Sequence, residues 1–229
     1  MVKAKIMAID RHRIETDGQG VTTLIAFHGC PLNCKYCLNP QCHSTTEYVR
    51  EMYPHEVMNE IERDELYFIA SEGGVTFGGG EPYLQSHFIK EMMELGAKRW
   101  NITIETSLNV EREHIEELMP YINEYIVDIK DMNDDIYQRY TGKSSSLMKS
   151  NLKFLIDQGH ANNILCRVPF IPDYNTDLDQ EKNKKELMEM GITMFEMFNY
   201  LQSKENKFWE DAIRSISMCG FLRGIVEEE

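Results

Sequence analysis

Three cysteines fall within eight residues, Cys30, Cys34 and Cys37 of the run HGCPLNCKYCLNP. A thiolate is the metal-binding form of cysteine. Three thiolates on one short loop can bind three corners of a 4Fe–4S cube, whose fourth iron then stays open to a small molecule. Gly29 and Pro31 suit the turn that must wrap so bulky an object. The alternative on the same residues is a tetrahedral zinc site completed by Cys42 or His43. Six cysteines could also pair as disulfides, but such clustering points instead to a metal or redox site. Cys166 and Cys219 stand alone in apolar surroundings and read as inert buried thiols.

A second constellation is GGVTFGGGEP, ending in Gly79, Gly80, Glu81 and Pro82. Glycines let backbone groups approach a ligand, and a carboxylate accepts from an ammonium group. The segment alone is equally a glycine-rich turn. Further on, IETSLN and VDIKDMN place acids at successive strand ends, a costly arrangement unless they are paired or metal-bound. Asp128 and Lys130, two apart in a strand, share one side of the sheet. A structural ion pair is the plain reading of those two. Arg167, within LCRVPF, requires an anionic partner in so apolar a run.

Short apolar runs rich in β-branched and aromatic residues predict strands over 21–28, 74–79, 101–107, 124–130, 163–171 and 192–200. Amphipathic stretches between them predict helices over 54–63, 86–95, 111–119, 146–158 and 177–190, with a last one over 208–214. Proline at the first turn of one helix and glycine after three others mark their limits. Alternation of this kind means a parallel sheet with crossover helices. The cysteine loop then follows a strand, where α/β folds place ligands.

The 229 residues suit one domain, and no repeat or linker divides 1–229. With 24 Lys and Arg against 38 Asp and Glu the formal charge is −14, which disfavours nucleic acid and anionic lipid as partners. No stretch approaches the roughly 20 apolar residues of a membrane span. The amino terminus becomes charged too early for a secretory signal, so a cytoplasmic location is expected.

The cysteine spacing, with aromatic Tyr36 before the last thiol, resembles the radical SAM superfamily. The resemblance implies a 4Fe–4S cluster on Cys30, Cys34 and Cys37 whose open iron is chelated by S-adenosylmethionine (SAM). Cleavage of SAM then yields a 5′-deoxyadenosyl radical. It also implies that Tyr36 belongs to the cofactor site and that Gly79, Gly80 and Glu81 bind the methionine amine of SAM. From about Asp17 to Phe208 the chain is similar to the short glycyl radical enzyme activases of the pyruvate formate-lyase activating type. That similarity implies contact of Asp17 with the glycine-bearing peptide of a partner enzyme. It further implies SAM contacts at Glu105, Ser107, Asp128, Lys130 and Arg167, and a monovalent cation on Glu105, Thr106 and Asp128. Flavodoxin or ferredoxin would supply the electron.

The sequence also departs from that pattern. Gln19 and Thr22 replace the activase Pro and Arg, Glu105 replaces an Asp, and Tyr200-Leu201 lacks a histidine that touches SAM. No cysteine-rich insertion separates the loop from Glu81, which suits the single-cluster branch. The expectation is a partial (β/α)6 TIM-like barrel, open on one side, with its cluster at the C-terminal ends of the strands. Its radical would take hydrogen from a backbone glycine of a partner enzyme. One alternative is a radical SAM enzyme that epimerises or crosslinks a ribosomal peptide. Another is a zinc-stabilised binding module. The scattered His12, His55, His87, His114 and His160 read as surface or structural residues, and His28 as a residue tuning the cluster or a packed strand end.

Overall fold

The computed structural model describes residues 2–14, 16–44 and 49–200. Its centre is an eight-stranded sheet in the order β3-β1-β2-β4-β5-β6-β7-β8. The strands are β1 (Ala4–Ile14), β2 (Val21–Phe27), β3 (Arg50–Met52), β4 (Gly74–Gly79), β5 (Asn101–Thr106), β6 (Glu124–Asp128), β7 (Ile164–Phe170) and β8 (Met194–Asn199). From β2 to β8 all pairings are parallel and run in chain order. The expected partial TIM-like barrel is therefore present: strands and crossovers of the (β/α) type, with the end strands β3 and β8 unpaired with each other.

Alternate residues of these strands enter two environments. Val75, Phe77, Ile102, Ile104, Tyr125, Val127, Ile164 and Val168 are fully buried and join one apolar core. Helices α1 (Pro54–Ile61), α2 (Glu65–Ser71), α3 (Ser86–Glu94), α4 (Arg112–Leu118), α5 (Asp134–Thr141), α6 (Ser146–Asp157) and α7 (Asp177–Glu189) complete the crossovers. Val57, Phe68, Phe88, Ile115, Leu152 and Leu187 bring helices into that core. Each such side chain contributes about 1.5–3 kcal/mol on leaving water. The intervening strand residues, Thr76, Gly78, Thr103, Glu105, Glu124, Asp128 and Arg167 among them, face the other way, toward the concave side. Apolar burial thus holds the barrel from outside and leaves its inner face polar.

Four elements were not anticipated. β1 pairs antiparallel with β2, and β3 with β1, at the sheet's edge. Only Ala4 and Ile6 of β1 are buried, and its register shifts twice, so its sequence carries no sustained alternation. Helix α2 is mostly exposed and α5 is short, which weakens their periodicity. The helix expected over 208–214, Leu201 and Cys219 lie outside the described residues. Among the described residues no helix is long and apolar enough to cross a membrane.

Candidate active site

The cysteine loop leaves the end of β2 and is pinned at both ends. Gly29 N–H donates to the Cys42 carbonyl at 3.0 Å, closing its base. Asn33 N–H and Lys35 N–H donate to the carbonyls of Thr141 and Tyr140 at 2.8 and 3.2 Å. These are carbonyls of the last turn of α5, which a helix leaves without internal partners. Helix α5 is therefore a support of the site that sequence reasoning missed. Its signal was Asn133 before Asp134-Asp135; the Asn133 side chain caps the helix by accepting from Asp135 N–H.

Cys30 and Cys34 are half-buried against the main core, and Cys37 is also half-buried. Burial, then the nearby Glu81 carboxylate, pushes the Cys30 thiol up to about 12. Burial raises Cys34 as well, with Lys130 opposing it. Such thiols keep their protons until a metal displaces them. Cys42 is buried beside them, its thiol raised to about 11 by burial and by Cys37.

The end of β4 passes directly beneath this loop. Gly80 N–H donates to the Phe27 carbonyl and Glu81 N–H to the Gly29 carbonyl, both at 2.8 Å. A Cβ on Gly80 would stand 2.2 Å from the Gly29 oxygen, and one on Gly79, at φ +90°, 2.8 Å from Ala26 Cα. Glycine is required at both positions by lack of space. Asn39 closes the arrangement by donating to the Gly79 carbonyl at 3.0 Å.

Glu81 is buried and accepts four hydrogen bonds: from Thr106 Oγ1 at 2.7 Å, Ser107 Oγ at 2.7 Å, Ser107 N–H at 3.0 Å and Tyr83 N–H at 3.4 Å. A carboxylate has about four such positions. Glu81 is expected to receive an ammonium group; its carboxylate here also clamps the end of β5. Burial still outweighs those bonds and raises its pKa. Immediately after the clamp, Leu108 adopts φ +54°, a conformation that costs a non-glycine residue about 1–3 kcal/mol. Asn151 holds it by donating to the Leu108 and Val110 carbonyls at 3.0 and 2.8 Å. Asn109 ties the next turn to the Ser144 carbonyl at 2.8 Å. Both asparagines are supports that no motif announced.

On the concave face, Lys130 is buried and donates to Asp128 Oδ2 at 2.8 Å and to the Tyr200 hydroxyl at 3.1 Å. Burial works against its charge, but Asp128 and Tyr200 keep its pKa well above the ordinary value. An ammonium has three hydrogens, so one remains for a ligand. Arg167 donates to Glu105, to Glu196 at 2.7 Å and to the Thr16 carbonyl at 2.8 Å. In the sheet register Arg167 lies between Asp128 and Glu196. Burial, resisted by Arg167, raises the Glu105 pKa, with Asp17 and Asp128 adding to the rise.

Asp17 is buried in the turn before β2 and accepts from Arg13 Nε and Thr16 Oγ1, both on Oδ2. It lines a cavity of about 1060 Å³ with Glu124, Asp128, Arg167, Phe198 and Tyr200, and a second of about 600 Å³ with Gly79 and Glu105. Tyr36, on the cysteine loop, lines neither cavity; its hydroxyl donates to Asp173 at 3.0 Å and its ring lies beside Tyr140 and Tyr174. The strand ends thus bring together Cys30, Cys34, Cys37, Gly79, Gly80, Glu81, Thr106, Ser107, Asp128 and Lys130. Asp17, Glu105 and Arg167 lie deeper, along the cavity wall.

The sequence pattern of the Radical SAM superfamily matches residues 24–181, from β2 into α7. The chain belongs to the radical SAM superfamily. Pyruvate formate-lyase-activating enzyme of Staphylococcus aureus (strain USA300) is 30% identical over 210 residues, 86% of this chain and 83% of the relative. Among solved structures, Streptococcus suis SuiB bound to S-adenosylmethionine superposes with a TM-score of 0.55 at 14% identity, covering 85% of this chain and 46% of SuiB. Native anSMEcpe with bound AdoMet and Kp18Cys peptide gives a TM-score of 0.54 at 21% identity, covering 76% of this chain and 49% of that one. This chain thus spans just under half the length of these two structures, whose likeness shows the fold.

Membership in the superfamily implies a 4Fe–4S cluster and SAM, and the residues present fit both. Three thiols spread along one pinned loop suit a cube, which takes its thiolates at separate corners. Zinc draws its ligands to one point. Among the described residues no three or more His, Cys, Asp or Glu gather closely enough to hold a single ion. For SAM, the glycine strand end offers backbone carbonyls to an amine, and Lys130 a free hydrogen to a carboxylate. The expected monovalent cation fits less well. Its three donors are turned to different partners: Glu105 to Arg167, Thr106 to Glu81 and Asp128 to Lys130.

Proposed function

We propose that this radical SAM enzyme takes a hydrogen atom from a backbone glycine of a partner enzyme, leaving a glycyl radical there. The observation that carries the proposal is the cavity of about 1060 Å³ that Asp17, Asp128, Arg167 and Tyr200 line together. A backbone glycine can reach a buried cofactor only as part of an extended segment, and a cavity of this volume leaves room for one. The 30% identical relative is itself an activating enzyme by name, and the similarity spans most of both chains.

When bound and reduced, the cluster supplies the electron that cleaves SAM into methionine and a 5′-deoxyadenosyl radical. The chain's residues position and protect. Cys30, Cys34 and Cys37 hold the cluster; the Gly79 and Gly80 backbone meets the methionine amine; Lys130 meets its carboxylate. Glu81 would fix the Ser107 turn beside the SAM site. Arg13 and Thr16 both bond Oδ2 of Asp17, and Oδ1 would accept an N–H of the entering segment. Tyr200, which lines the same cavity, helps to exclude water from it. Flavodoxin or ferredoxin is the proposed electron donor.

The test is anaerobic incubation with SAM, reductant and each glycyl radical enzyme encoded in the same genome. The expected result is the electron paramagnetic resonance doublet of a glycyl radical. Vigorous 5′-deoxyadenosine release with no doublet on any of them would contradict the proposal.

A further inference from the structure

We infer that this chain neutralises the carboxylates of its inner face with its own side-chain cations and therefore binds SAM without a monovalent metal ion. The inference rests on the radical SAM chemistry of the site and is independent of which substrate loses hydrogen.

Three residues could have gathered round such an ion, and the fold separates them. Glu105 and Thr106 are neighbours on β5, and neighbours on a strand point to opposite faces. Thr106 Oγ1 accordingly donates to Glu81 at 2.7 Å and accepts from Leu108 N–H at 2.9 Å, on the side away from the cavity. Glu105 crosses the concave face beneath β4, where a Cβ on Gly78 would lie 2.8 Å from Oε2. There its other oxygen meets Arg167 Nη1.

Arg167 is held in place by more than Glu105. Its Nε donates to Glu196 and its Nη2 to the Thr16 carbonyl. A planar guanidinium with three directions fixed has little freedom to leave. Asp128, its register neighbour on β6, is in turn bonded by Lys130. Two carboxylates, Glu105 and Asp128, thus face two permanent cations, Arg167 and Lys130. A metal ion entering there would meet carboxylates already bonded to cations and two like charges, which weakens the electrostatic attraction for it. Glu196, half exposed at the open edge, is a third carboxylate here, and Arg167 Nε bonds it at 2.7 Å.

The length of Glu105 is what permits the arrangement. An Asp would withdraw the carboxylate by about 1.5 Å, the length of one carbon–carbon bond, and break its contact with Arg167. The shorter side chain would leave an uncompensated carboxylate near Asp128, which is the condition that attracts a small cation.

The experiment measures equilibrium SAM binding to the cluster-loaded enzyme at constant ionic strength in sodium, potassium or tetramethylammonium chloride. The expected dissociation constants agree within about twofold across the three salts. Glu105→Asp and Arg167→Gln, each checked for iron content and circular dichroism, should acquire a saturable requirement for sodium or potassium, with binding in tetramethylammonium weakened about tenfold or more. Tenfold weaker binding of the parent enzyme in tetramethylammonium, restored by potassium or sodium, would overturn the inference. Cation-indifferent binding by both folded variants would overturn it too. Because only SAM binding is read, failure here is distinguishable from failure to form a glycyl radical.

Discussion

Ser107 donates twice to one carboxylate oxygen of Glu81, from its backbone N–H at 3.0 Å and its hydroxyl at 2.7 Å. The pair joins the ends of β4 and β5 inside a buried setting, so the glycine-rich strand end and the turn after β5 move as one body. The Gly79-Gly80-Glu81 run thus holds its own backbone against the turn after β5.

Substituting Glu81→Gln keeps the size but turns an amide N–H₂ toward donors that have lost their acceptor. SAM affinity should fall by tenfold or more while iron content stays near the parent value. Ser107→Ala removes one hydrogen bond to a charged group, about 1.5–3 kcal/mol, and should weaken SAM binding less than Glu81→Gln. Equilibrium binding with parallel iron assay checks both; an unchanged affinity in Glu81→Gln would contradict the clamp.

Cluster loading distinguishes the thiols. Cys30→Ala, Cys34→Ala and Cys37→Ala should each abolish the brown, dithionite-bleachable chromophore and reduce 5′-deoxyadenosine formation below detection. Cys42→Ala should keep four irons per chain, since a cube held at three corners leaves its fourth iron for SAM. A zinc site would show the reverse, with Cys42 or His43 essential and iron absent.

Asp17 lies at the far end of the cavity from the cysteine loop. Asp17→Ala should therefore leave uncoupled 5′-deoxyadenosine formation within about twofold of the parent while lowering hydrogen abstraction from a protein partner by about 100-fold, a typical positioning effect. Product quantitation by mass spectrometry alongside spin counting separates the two.

A structural carboxylate gives a pH signature away from the site. Asp64, buried under β1, would be raised by burial, but hydrogen bonds from Arg11 and Thr23 and the charges of Arg11 and His12 outweigh it and hold its pKa below the ordinary value. A depressed carboxyl stabilises above its unfolded value of about 4, and that stability is lost as pH falls through the folded value. Asp64→Asn should lower the melting temperature at neutral pH, and its melting temperature should then fall less than the parent's on acidification to about pH 3. Circular-dichroism melts of the iron-free chains test it.

The six parallel strands and most of their helices were legible because burial on the outer face repeats the same β-branched pattern strand after strand. The edge elements were not: β1 buries only Ala4 and Ile6, and its pairing depends on β2 rather than on its own periodicity. Within the site, Cys30, Cys34, Cys37 and the Gly79-Gly80-Glu81 run were visible because their chemistry requires close spacing in the chain. Asn109, Asn151 and the end of α5 were not, since their contacts span tens of residues and use backbone carbonyls, which leave no mark on residue type. The sequence likewise showed Glu105, Asp128, Lys130 and Arg167 as candidate ligands and offered an Asp128–Lys130 pair, but only the fold shows that the anionic partner of Arg167 is Glu105 together with Glu196.

The most direct measurement of the account is isotopic. A partner glycyl radical enzyme produced with α-dideuterated glycine is incubated anaerobically with this enzyme, SAM and reductant, and the 5′-deoxyadenosine formed is weighed by mass spectrometry. One deuterium atom per newly activated partner chain is the predicted result. Deuterium-free 5′-deoxyadenosine, formed in the presence of every candidate partner, would contradict hydrogen abstraction from glycine.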